Sequence, residues 1–146
     1  MATQLQLRKG TKIQNDAFTG AEAELTYDST SKGLRLHDGV KQGGYMVDTV
    51  VAWQAPTAEN NYTWYRKYSS GWVEQGILNL QDGATFTFPV PMASTAYSVL
   101  GTTKVGAGEV KAASVREDFK TTTSCVVYFS SSSYYGYAEV KGMCAQ

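Results

Sequence analysis

This sequence is poor in the residue types from which reactive and metal-binding sites are usually built. It contains one histidine, two cysteines and three prolines. A zinc site of the ordinary kind needs three or four histidine, cysteine or acidic ligands, so the sequence predicts neither a metal site nor another cofactor. A Gly-x-Ser-x-Gly nucleophile motif is also missing from the sequence. We therefore expect a protein that is not an enzyme.

The sequence also lacks a surplus of charge of either sign. Lys+Arg and Asp+Glu each number 13, so the formal net charge is zero. Proteins that bind nucleic acid or an anionic membrane usually carry a basic excess, and we expect neither partner here. No apolar run approaches the roughly 18 residues of a membrane span. The first residues, MATQLQLRKGTK, lack the apolar core of a signal peptide, so we expect synthesis in the cytoplasm without membrane insertion.

What the sequence does contain points to an all-β protein. Glycine and tyrosine number 14 and 10, and threonine and serine are abundant too; these residues favour strands and turns. The segment 24–39 alternates apolar and polar residues on either side of a DSTSKG turn, which predicts a β-hairpin. The segment 10–20 breaks the alternation and has room for one short helical turn capped by Thr11.

A change in composition near residue 46 predicts a boundary between domains 1–46 and 47–146. The first segment is too short to bury a core easily, because chains below about 40 residues usually need disulfides, metals or oligomerisation. Since it has no cysteine, we expect it to self-associate. The second segment has seven or eight short strand patterns separated by turns, which predicts an antiparallel β-sandwich-like domain. The expected strands are 47–54, 63–69, 71–80, 84–90, 96–103, 109–117, 124–130 and 134–143.

The only histidine, His37, is followed by Asp38 and Gly39. Because Asp-Gly is a strong turn signal, we interpret these three residues as the structural turn at the end of a hairpin. Catalysis and metal binding are the alternative interpretations. Both are less favoured, because adjacent strand residues point to opposite faces and the sequence offers no converging partners.

The two cysteines, Cys125 and Cys144, fall opposite each other if 124–130 and 137–145 are the arms of one hairpin. That arrangement would permit a cross-strand disulfide. The alternative is two small buried apolar side chains in a protein assembled in the cytoplasm, where disulfides are rare.

The serine-rich stretch 130–137 contains the candidate receptor-binding residues Tyr134, Tyr135 and Tyr137. Tyrosine together with serine and glycine is the composition of adaptable recognition loops, and aromatic faces can stack on sugar rings. The alternative is a loop that packs on a neighbouring subunit. For Trp64 and Trp72 we expect packing in the core or between subunits.

Several short motifs near the N-terminus resemble the N-terminal domain of the phage major tropism determinant. The resemblance covers about the first 45 residues and preserves the order and spacing of the motifs. It implies an intertwined homotrimer of β-structure that attaches a receptor-binding module to the virion. The motifs are Leu5-x-Leu7-Arg8-x-Gly10-Thr11, AFTGA (17–21), ELTYDST (24–30), LRLHDG (34–39) and GGY (43–45).

A second segment, WYRKYSSGWVEQG (64–76), resembles the aromatic strand-turn-strand of C-terminal domains in phage tail fibres, especially in phages of gut bacteria. The chain shows no match to the C-type-lectin domain of the tropism determinant, so that domain's receptor contacts cannot be transferred to this chain.

Together the two resemblances imply a virion fibre or tail-tip protein that adsorbs, without catalysis, to a host-surface glycan or protein. Its N-terminal domain would join other virion proteins. The alternative is a purely structural virion component, such as a head fibre, a capsid decoration or an adaptor.

Overall fold

The computed structural model describes residues 7–104, 113–115, 119–129 and 135–145. These residues are mostly β-structure, which confirms the all-β expectation. No helix among them is long and apolar enough to cross a membrane. The short helix α1 spans Lys12–Asp16, and a 3₁₀ turn spans Ala58–Asn60. The strands are β1 (Arg8–Gly10), β2 (Glu22–Asp28), β3 (Gly33–Asp38), β4 (Tyr45–Val47), β5 (Val50–Gln54), β6 (Thr63–Tyr68), β7 (Trp72–Gln81), β8 (Thr85–Thr87), β9 (Ser98–Lys104), β10 (Ala113–Val115), β11 (Ser124–Phe129) and β12 (Tyr135–Met143).

The contacts within the chain divide it into two compact units. One comprises Met1–Val51 and Tyr68–Ser70, and the other Ala52–Lys67 and Gly71–Gln146. The sequence predicted a boundary between two domains near residue 46, and that boundary stays a prediction.

The first unit contains a four-stranded sheet in the order β1-β2-β3-β4. β2 and β3 pair antiparallel up to the Asp28–Gly33 pair, which confirms the expected hairpin. β1 pairs parallel to β2, which local alternation did not predict. The expected helical turn is present as α1. Thr11 caps it by accepting from the Gln14 backbone N–H at 3.3 Å, while the Gln14 side chain accepts from the Thr11 N–H at 2.9 Å.

One face of this sheet carries polar side chains, and this polar face is the buried one. Thr26, Asp28, Arg35 and His37 are at most 6% exposed. The register places the apolar side chains on the opposite face, where Leu36 lies between Leu25 and Tyr45. Leu36 is 44% exposed. We call this surface the outer apolar face, and it consists of Leu25, Tyr27, Leu34, Leu36, Tyr45 and Val47.

Arg35 organises the buried polar face of the first unit. Its Nη2 lies 2.7 Å from Asp28 Oδ2 and its Nη1 lies 2.7 Å from Asp16 Oδ1. Nη1 also donates to the Gly43 carbonyl at 3.0 Å. Burial raises the pKa of Asp28, but hydrogen bonds from Ser31 and Arg35 outweigh burial and hold the pKa below the usual 3.8. The polar face is therefore an ordered ion-pair network.

The second unit has two sheets around one core. Five strands are ordered β5-β6-β7-β12-β9 and three are ordered β10-β11-β8. The neighbours of β12 and β11 run antiparallel to them, as expected for this part of the chain. Buried residues from both sheets form one apolar cluster, so the sheets bury their inner faces together. The cluster comprises Val73, Leu80, Phe86, Phe88, Met92, Tyr97, Cys125, Val127, Phe129, Ala138, Val140 and Cys144.

The hairpin that would have placed the two cysteines opposite each other is not formed. β11 and β12 belong to different sheets. Cys125 pairs with Phe86 in one sheet, whereas Cys144 forms an isolated bridge with Met92. Both cysteines are free and buried, so the disulfide is not formed, and burial raises the pKa of the Cys125 thiol to about 11. They pack as small apolar side chains in the core, which was the alternative interpretation.

Candidate functional site

A groove in the second unit brings aromatic, acidic and basic side chains together. Its volume is about 410 Å³, within the roughly 300–1,000 Å³ of pockets that hold small ligands. We call it the tryptophan groove. It is lined by Trp53, Gln54, Ala55, Pro56, Trp64, Tyr65, Arg66, Glu74, Leu78 and Glu139.

The regular pairing of β6, β7 and β12 positions one row of side chains across the groove. Trp64 lies opposite Gly76, and Gly76 lies opposite Glu139. Because directly paired residues share a sheet face, Trp64 and Glu139 project from the same side. A Cβ added at Gly76 would lie only 2.6 Å from Trp64 Nε1. The missing side chain at Gly76 therefore leaves the space in which the Trp64 indole lies.

The next row across the sheet alternates in charge. Arg66 lies opposite Glu74, and Glu74 lies opposite Lys141. Lys141 Nζ is 3.1 Å from Glu139 Oε1 and 3.6 Å from Glu74 Oε1. Its hydrogen bond with Glu139, followed by the Glu139 charge, raises the pKa of Lys141, so the ammonium form is favoured. Two carboxylates and two cationic groups thus balance in charge at the groove.

The two tryptophans differ in exposure. Trp53, on β5, is 69% exposed, whereas Trp64 is half-buried. From the sequence, Trp64 was expected to serve in packing, and Trp53 was not identified as a surface group. Strand alternation was the sequence signal for part of this groove, because Trp64 and Arg66 are two residues apart on one strand and therefore share a face.

Of the three tyrosines expected to bind a receptor, Tyr137 adjoins the groove. Burial, followed by the negative charge of Glu139, raises the pKa of Tyr137 to about 12. The protonated hydroxyl therefore donates a hydrogen bond to the Glu139 carboxylate. Tyr135 is 50% exposed at the start of β12. Tyr134 lies outside the described residues.

At the expected turn, Asp38 is the last residue of β3 and Gly39 follows it directly. Asp38 Oδ1 accepts from the backbone N–H of Lys41 at 2.7 Å and of Val40 at 3.0 Å. These two hydrogen bonds lower the pKa of Asp38. Gly39 has a φ of +80°, a conformation that glycine adopts without steric cost.

His37 lies on the strand before the turn and is 2% exposed. Its Nδ1 accepts from the Gly20 N–H at 3.2 Å, and its Nε2 lies 3.1 Å from Thr26 Oγ1. In the neutral ring, Nε2 therefore carries the proton and donates to the hydroxyl. Among the described residues there is no cluster of three or more histidine, cysteine or acidic side chains that could hold a metal ion. The contacts of His37 are those of a structural residue.

Comparison with known proteins finds a family match within the first unit. Residues 5–41 match the family model of the major tropism determinant N-terminal domain. The chain is 42% identical over 45 residues to the tail fiber receptor-binding protein of Bordetella phage BPP-1. The aligned segment covers 31% of this chain and 12% of that protein.

Among solved structures, the U1 and M1 variants of the major tropism determinant are each 23% identical to this chain. Each alignment covers 82% of this chain and 35% of the variant, with a TM-score of 0.28. The N-terminal segment 5–41 matches the major tropism determinant N-terminal domain family, which confirms the resemblance expected from its motifs.

Proposed function

We propose that this chain is part of a phage fibre or tail tip, located in the virion, and that it adsorbs to a host-surface receptor without catalysing a reaction. The observation that carries the proposal is the pairing of two features. An N-terminal segment of a family found in a tail fiber receptor-binding protein precedes a unit with an exposed aromatic groove.

The first unit supports the proposal through its outer apolar face. Leu25, Leu36, Tyr45 and Val47 are 38–50% exposed on one side of a sheet. Contiguous exposed apolar surface of this kind marks an interaction site, and burying it is favourable. We assign it to contact between copies of this chain, with residues 1–46 as the trimerisation and virion-attachment domain. The number three comes from the family resemblance.

The second unit would carry the receptor site. Tyr134, Tyr135 and Tyr137 stay the proposed recognition residues. Of these, Tyr137 is connected to the tryptophan groove by its hydrogen bond to Glu139. The receptor is a glycan or an exposed protein of the host surface. Identical weak sites on one oligomer would bind a cell with higher avidity than a single site, which suits reversible attachment.

Adsorption of the fluorescently labelled oligomer to a panel of gut bacterial strains tests the proposal, after its mass has been fixed by light scattering. We expect saturable binding to at least one strain, reduced by the double change Tyr134→Ser and Tyr135→Ser. Val40→Ser, in the exposed turn of the first unit, is the control and should bind as the unchanged chain does.

A correctly folded oligomer that adsorbs to none of these strains would contradict receptor binding. It would favour the alternative of a purely structural virion component, such as a head fibre, a capsid decoration or an adaptor.

A further inference from the structure

The tryptophan groove has the chemistry of a site for an uncharged sugar. We propose that it binds a neutral pyranose ring of a host-surface glycan, which specifies the receptor class and therefore rests on the proposed function. The proposal depends on three properties of the groove, namely its aromatic surfaces, its hydrogen-bonding groups and its charge.

The aromatic surfaces match the apolar face of a pyranose. A sugar ring presents C–H groups on its faces and hydroxyls around its edge, so a flat aromatic ring can cover a face without burying the hydroxyls. Trp53 is 69% exposed and Trp64 is held across Gly76 by the sheet. Both side chains line the same groove. Indole rings offer a large, rigid contact area of this type.

The polar groups of the groove match the hydroxyls at the edge of the ring. Glu74 and Glu139 are acceptors, and Arg66 is a donor in a fixed fork geometry. Gln54 has its amide fixed by hydrogen bonds from Nε2 to the Thr63 carbonyl at 3.3 Å and hydroxyl at 3.2 Å. A hydroxyl both donates and accepts, so it can be satisfied by acceptor and donor groups placed side by side.

The charge of the groove selects against charged ligands. Glu74 and Glu139 are balanced by Arg66 and by Lys141, whose Nζ lies within 3.6 Å of both carboxylates. A groove without net charge offers a charged ligand no net attraction to offset the water that its charge loses on binding. A neutral ring has no charge to desolvate. The volume of about 410 Å³ is enough for a small ligand of this kind.

Saturation-transfer NMR on the whole chain tests the proposal directly, followed by titration of any sugar that responds. The panel consists of neutral methyl glycosides of glucose, galactose, mannose and N-acetylglucosamine, with sialic acid and glucosamine as charged comparators. We expect at least one neutral glycoside to bind and the charged sugars to bind more weakly.

Three variants locate the binding. Trp53→Ala should weaken binding about tenfold or more, as for an aromatic anchor, and Glu139→Gln should weaken it by a smaller factor. Trp72→Ala is the matched control, since Trp72 lies on the same sheet and does not line the groove. It should leave the affinity unchanged. Circular dichroism and thermal melting establish whether each variant is folded. If Trp53→Ala does not fold, Glu139→Gln still tests the proposal.

The outcomes separate this inference from the proposed function. Equal binding by Trp53→Ala and the unchanged chain overturns the groove assignment, as does preference for a charged sugar. If the chain adsorbs to cells but binds no sugar of the panel, or if a peptide competes with its adsorption, the assignment of a sugar ligand is wrong and the proposed adsorption still holds. If a neutral sugar binds and Trp53→Ala abolishes that binding, but the chain adsorbs to no strain, the groove assignment is supported and the proposed function is contradicted.

Discussion

Arg35 is the residue on which the buried polar face of the first unit depends. It lies 2.7 Å from carboxylate oxygens of both Asp28 and Asp16, and the Asp28 side chain is fully buried. Arg35→Met should lower the free energy of unfolding by about 3–5 kcal/mol, because Asp28 would be left as a buried charge without its partner. Urea unfolding at a fixed chain concentration measures this loss.

Arg8→Met is the matched control for that change. Arg8 pairs with Glu24 at 3.4 Å, and its side chain is 60% exposed. A surface pair of this kind contributes about 1 kcal/mol or less. Equal losses in the two variants would show that the buried network is not a major source of stability.

Asp28 should make the stability of the folded chain fall in acid. Its pKa is lower in the folded chain than the ordinary value of 3.8, so its ionised form stabilises the fold above that pH. This stabilisation is lost as the pH falls from that value through the lower folded pKa. Urea midpoints at pH 7 and at about pH 3 should therefore differ less for Asp28→Asn than for the unchanged chain. An equal difference would assign the acid sensitivity to other carboxylates.

Single residues were predictable from sequence where their role is local. The Thr11 cap and the Asp38-Gly39 turn each involve backbone groups within three residues, and the sequence signals for both are specific. Arg35 was not singled out, since its partners Asp16 and Asp28 lie 19 and 7 residues away. Its role depends on how the chain folds back on itself.

Among the strands, β7 can lie between β6 and β12 because Gly76 has no side chain. A Cβ there would lie 2.6 Å from both Trp64 Nε1 and the Ala138 carbonyl oxygen. Gly76→Ala should therefore destabilise the chain by about 1–3 kcal/mol through overpacking and displace the Trp64 ring. Urea unfolding and the near-ultraviolet circular dichroism of tryptophan measure the two effects.

Gly142→Ala, on the adjacent strand β12, is the comparison. Its Cβ would approach the Met92 methyl at 2.8 Å and Tyr97 Cβ at 3.0 Å. A methionine end adapts more easily than a backbone carbonyl, so we expect a smaller loss of stability and an unchanged tryptophan signal. A larger loss at Gly142 than at Gly76 would contradict this account.

Most strands were predictable because alternation and turn residues are local signals, but their pairing was not. β11 and β12 follow each other in the described chain, yet β11 pairs with β10 and β8 while β12 pairs with β7 and β9. Pairing between distant strands depends on how two sheets share a core, which no short pattern encodes. Alternation in the segment 24–39 likewise predicted the two strands of a hairpin without showing that the face with Leu25 and Leu36 is the exposed one.

For the whole molecule, the outer apolar face predicts an oligomer. We expect light scattering to give a mass near three times the chain mass of 15.9 kDa. Leu36→Lys should shift the mass towards one chain, because it places a charge in the middle of the face that would be buried. Val40→Lys is the control, since Val40 is 84% exposed in the neighbouring turn. A single-chain mass for the unchanged protein would contradict self-association through this face.

The two core cysteines have a practical consequence for following adsorption. Cys125 and Cys144 are the only cysteines of the sequence, and both thiols are shielded inside the second unit. Maleimide reagents need an accessible thiolate, so the folded chain should resist modification without any cysteine being removed. A single cysteine introduced at position 40 would then take one fluorophore per chain, and counting bleaching steps on a single cell-bound particle would give the number of chains that arrive together.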